Sequence, residues 1–143
     1  MLDKPVYGWC HIKIGNWVER CSDYLDDVPT MLFEALEESC RVRKPTAVEF
    51  DAEGYGYIIV FDSVHTYVIY DDDSDDCMIR INIGYDELAK QFVSDMRENL
   101  SDWAWWWAGS DEEAEERMKD ISVMCDILER RVPKSCENLV RKR

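Results

Sequence analysis

Basic side chains are scarce in this chain, and histidines scarcer. Its 143 residues hold 17 Lys and Arg against 31 Asp and Glu, a formal charge of −14, with two histidines, His11 and His65. A nucleic-acid binder needs a basic face for phosphates, so direct nucleic-acid binding is excluded for the body of the chain. Two histidines leave few general bases. The sequence also lacks Cys-x-x-Cys, Gly-x-Ser-x-Gly, a P-loop and a dinucleotide fingerprint, which removes the catalytic classes those motifs carry. No uncharged run approaches the ~18 residues of a membrane span. Met1–Ile14 has neither the basic nor the apolar region of a secretion signal. These absences read as a cytoplasmic protein without membrane contact, catalytic set or cofactor.

Apolar residues, by contrast, make up 46% of the chain and aromatics 12%. That is enough for a packed core. The length predicts one domain, 1–133, followed by a basic tail, 134–143, read as frayed. Arg130, Arg131, Lys134, Arg141, Lys142 and Arg143 face only Glu137 in the last fourteen residues. The tail region thus carries +5 and residues 1–129 carry −19. An acidic body favours basic partners. The six cysteines (10, 21, 40, 77, 125 and 136) share no metal-ligand spacing with the histidines. They read as reduced, mostly buried thiols, with no metal site.

Hydrophobic period divides the chain. Residues 6–14 predict a first strand closed by Gly15-Asn16, and 17–27 stay ambiguous between strand and loop. Asp27 as N-cap and Pro29 in the first turn open a helix that runs to about Arg43, where Lys44-Pro45 ends it. The period then turns to two. Strands are predicted over 46–51, 55–62, 64–70 and 77–83, and their short connections make them antiparallel. A single helix over Tyr85–Trp107 keeps Trp103 and Trp107 on its core stripe, with Trp106 at the stripe's edge and Trp105 opposite. Ser110-x-x-Glu113 caps a last helix that stops at Pro133. The expected order is β-α-β-β-β-β-α-α: an α+β domain with a four- to five-stranded antiparallel sheet and helices packed on one face.

The candidate partner-binding residues follow from charge and aromatic surplus. Asp71, Asp72, Asp73, Asp75 and Asp76 crowd one loop. The first, third and fifth positions fit a calcium loop, but Asp76 replaces its turn glycine and Asn82 its bidentate glutamate. The loop therefore reads as a contact for a basic partner or a solvated hairpin. Trp105 is a candidate aromatic anchor. Tyr55, Tyr57 and Tyr67 are candidates for a tyrosine-bearing sheet face, a rigid amphipathic binding surface. Asp51, Glu53 and Asp62 form the only carboxylate set that a metal-dependent hydrolase reading offers.

Tyr24-Leu25-x-Asp27-x-Pro29 entering a helix, followed by Phe50-Asp51-x-Glu53-Gly54 on a hairpin, resembles a group of small bacterial and phage-borne α+β proteins over residues 6–107. Acidic members of that style resemble immunity proteins of polymorphic-toxin systems. The resemblance implies a non-enzymatic inhibitor and carries no catalytic residue. The expected partner is a basic protein: a nuclease toxin, or a nucleic-acid-binding defence complex met by an anti-CRISPR or anti-restriction DNA mimic. A homodimer is also compatible with the surplus aromatics.

Overall fold

The computed structural model describes residues 1–22, 26–52, 54–71 and 78–134. The fold is α+β. Strands β1 (Trp9–Ile14) and β2 (Trp17–Ser22) form a hairpin of their own. Helix α1 (Val28–Val42) leads to a meander of β3 (Thr46–Asp51), β4 (Gly56–Phe61), β5 (Thr66–Asp71) and β6 (Met78–Ile81). These pair antiparallel in the order β3-β4-β5-β6. Helices α2 (Tyr85–Glu98), α3 (Leu100–Trp105) and α4 (Asp111–Arg131) complete the chain. No helix among the described residues is long and apolar enough to cross a membrane.

The ambiguous stretch after Asn16 resolves as a strand. Trp17 through Ser22 pairs with Ile14 through Trp9, so the first strand gains a partner and stays outside the larger sheet. Gly15, at φ +58°, makes the turn, and a side chain there would press on Ile81. Asp27 sits at the N-cap position of α1 but does not cap it. Its carboxylate binds Arg117 of α4 instead, which ties the first helix to the last. Arg43 closes α1 in the left-handed conformation, and its guanidinium pairs with Asp86 at 2.7 and 2.8 Å. Ser110 caps α4 as expected, accepting from Glu113 N–H at 3.2 Å. The Glu113 carboxylate reaches back to Gly109 N–H at 2.6 Å.

The helix predicted over Tyr85–Trp107 is broken at Asn99, where φ −120° and ψ 37° leave the helical region. Asparagine is a poor helix-interior residue because its side chain competes for backbone groups. The break turns the following residues. Trp103 and Trp106 enter the core, whereas Trp107 is exposed, contrary to the stripe of an unbroken helix. The N-terminal segment is anchored as well: the amino group of Met1 and the N–H of Leu2 both donate to Asp95 of α2, at 2.5 and 2.8 Å.

The core lies between the inner face of the sheet, the hairpin and the helices α1 to α4, the last contributing Ile121, Cys125 and Leu128. Val48 and Phe50, then Tyr57, Ile59 and Phe61, then Val68 alternate inward along β3, β4 and β5. The helices keep to this side.

A candidate protein-binding face

The alternate residues of the same strands are half-buried or exposed, so among the described residues the opposite side of the sheet is open. Register places Ala47, Val60, Tyr67 and Arg80 in one cross-strand row and Glu49, Ile58, Ile69 and Met78 in the next. A third row is Asp51, Gly56 and Asp71. The four strands span about 14 Å between outer axes. Ile58, Val60 and Tyr67 are half-buried, Ile69 is exposed, and Met78 is 62% exposed. A contiguous apolar patch rimmed by charge is the usual mark of a protein-binding surface.

One end of this face is acidic. Asp26, Glu49, Asp51 and Asp71 line a depression of about 580 Å³, together with Phe50, Gly54, Tyr55 and Gly56. Gly56 carries no side chain between Asp51 and Asp71, which keeps the depression open. Among the described residues, no basic one lines it. Asp26 reaches it from the segment before α1 and accepts the Asp51 N–H at 3.2 Å. Burial raises the Asp26 carboxyl above its ordinary 3.8. The Asp51 N–H bond opposes the rise, and the Asp51 charge adds to it. The folded-state value therefore exceeds the unfolded one, and stability falls as pH rises through that window. Asp26→Asn is expected to raise the melting temperature at about pH 7 and to lose that gain at about pH 3. Thermal melts of both proteins at the two pH values check this.

The candidate residues separate in the structure. Tyr67 stands on the open face, 6.1 Å from the His65 ring. Tyr55 is at the rim of the acidic depression, its hydroxyl donating to Glu19 at 2.7 Å; that bond, above all, pushes its pKa up to about 12. Tyr57 is a correction. It is fully buried on the inner face, edge-on to Trp17, with its hydroxyl 2.8 Å from Cys21 Sγ, so it contacts no partner. Strand parity decides this, since Tyr57 and Tyr67 occupy opposite faces of neighbouring strands. Trp105 is 47% exposed but belongs to α3, not to the sheet. Asp71 lines the depression, and Asp72, Asp73, Asp75 and Asp76 lie outside the described residues, as do Tyr24, Leu25, Glu53, Cys77 and the tail from Ser135. Asp26, Ile58, Ile69 and Met78 join the face although neither a charge run nor aromatic surplus marks them. The even–odd pattern of β4 and β5, apolar on both faces, was the available signal.

Of the carboxylates of the hydrolase reading, the two described, Asp51 and Asp62, do not converge. Asp51 lies opposite Gly56 and Asp62 one residue beyond Phe61, so about 20 Å of strand separates them. Among the described residues no group of three His, Cys, Asp or Glu is placed to hold a metal ion. Cys10, Cys21, Cys40 and Cys125 are buried free thiols. The Cys21 contact and burial push the Cys10 thiol up, and burial raises Cys40 to about 12 and lifts Cys125 as well. None of these three is an activated nucleophile. No family model, curated protein or solved structure matches the chain.

Proposed function

We propose that the chain is a non-enzymatic acidic inhibitor, of the immunity or antitoxin kind, that binds and blocks a basic cytoplasmic effector such as a nuclease. One observation carries the reading: among the described residues, an open apolar sheet face ends in a depression lined by four carboxylates and no cation. A nuclease needs a basic cleft for phosphates. Ile58, Ile69 and Met78 supply apolar contact, and Asp26, Glu49, Asp51 and Asp71 receive lysine or arginine side chains of the cleft. The excess of acid on the whole chain steers the encounter. A DNA-mimicking anti-defence protein would use the same face, and the partner's identity separates the two roles.

The test is affinity capture with the tagged full chain, from cells that carry it, washed at low and then high salt. One basic protein held stoichiometrically at low salt is expected, and Glu49→Lys with Asp51→Lys and Asp71→Lys should lose it. An empty capture, or retention unchanged by the three reversals, contradicts the reading.

A further inference from the structure

The two edges of the larger sheet are not alike. On β3, Asp26 takes the outward N–H of Asp51. On β6, among the described residues, no strand or side chain takes the outward backbone groups. The Asp62 N–H to His65 carbonyl bond, 2.9 Å, fixes the phase of the ladder between β4 and β5. Antiparallel residues alternate sides, so Tyr67 and Ile69 bond towards β4, and Thr66 and Val68 towards β6. Their partners Ile81 and Ile79 use their backbone groups on β5. Met78 and Arg80 turn theirs outward. Edges are normally blunted by proline, charge or a covering segment; here Arg80 is the single charge in β6.

A second feature coincides with the open edge. Ile79 belongs to the inner face, opposite the fully buried Val68, yet is 39% exposed. A groove of about 490 Å³ runs beside it, between Asn16 and Trp17 of the hairpin and Ile79, Ile81 and Ile83. The inner face lacks cover where the sheet lacks a strand.

The geometry points to strand addition at β6 by an extended segment of a partner protein. Its chemistry follows from what it faces. Alternate residues are apolar and cover Ile79 and Ile81. The residue across from Arg80 is acidic. Asp71, at the end of the sheet beyond Met78, favours basic residues where the added strand, running antiparallel, ends. Main-chain bonds supply affinity in this mode, and the side-chain pattern supplies selectivity. The inference does not depend on the partner being a nuclease.

The test is a nuclear magnetic resonance titration of the labelled full chain with the peptide acetyl-Thr-Val-Glu-Val-Thr-Lys-Lys-amide. Saturable shifts confined to Asn16, Trp17 and Met78–Ile83 are expected. Arg80→Pro removes an outward N–H that the fold does not use, so the chain should stay folded and bind at least ten-fold more weakly. Arg80→Glu should also weaken binding, and a peptide with lysine in place of its glutamate should restore it. Shifts on Ile58 and Ile69 instead, no saturable shifts, or unchanged binding by Arg80→Pro would overturn the proposal. So would concentration-dependent self-association of the chain alone that Arg80→Pro abolishes, because the occupant would then be a second copy.

Discussion

Gly84→Ala is expected to destabilise the fold by about 3 kcal/mol, towards the upper end of what overpacking costs. The reason is space, not backbone freedom: Gly84 has φ −90°, which any residue adopts. A methyl group there would lie 2.0 Å from the Ser63 carbonyl oxygen and 2.6 Å from its carbon. Both are backbone atoms of the β4–β5 turn, so no rotamer relieves the clash. The same junction holds the start of α2 to the sheet, through the Tyr85 N–H and the Asp62 carbonyl at 3.0 Å. Relief must therefore part α2 from the turn. Urea unfolding of the variant measures the loss; a change under about 1 kcal/mol would mean that the junction is slack.

The tryptophans give the second large effect, as a contrast. Trp103→Ala should cost about 4 kcal/mol and Trp105→Ala under about 1.5 kcal/mol. Trp103 is fully buried and packs on Trp106 at 5.5 Å between ring centroids. Trp105, two residues on, is 47% exposed. The break at Asn99 is tested at the next pair: Trp106→Ala should cost more than Trp107→Ala, because Trp106 is buried and Trp107 exposed, whereas an unbroken helix would put Trp107 in the core rather than Trp106. Equal losses at the two positions, again by urea unfolding, would contradict the described course of α3.

The strands of the larger sheet were legible because Val48 and Phe50 alternate with Ala47, Glu49 and Asp51, and because Gly84 and Pro45 mark boundaries. The antiparallel meander follows from the short connections. The hairpin partner Trp17–Ser22 was not legible, because Glu19 and Arg20 interrupt the apolar period. In the fold Glu19 accepts from the Tyr55 and Tyr70 hydroxyls at 2.7 and 3.1 Å, a long-range arrangement that no local pattern contains. The candidate face was half legible. Aromatic surplus pointed to the sheet, but Tyr57 and Tyr67 look alike until register gives them opposite faces. Asp26 joins Glu49, Asp51 and Asp71 through the chain path before α1, and sequence spacing does not show such a meeting.

In the proposed function the acidic end of the open sheet face draws in a basic partner, an electrostatically steered association. Its most direct test is the association rate of the captured partner, measured by stopped flow across a salt series with the native chain and with the Glu49→Lys, Asp51→Lys, Asp71→Lys variant. The native rate is expected to fall steeply with salt, by about ten-fold or more, and the variant rate to be slower and nearly flat. Equal rates with equal salt dependence would place the contact elsewhere on the molecule.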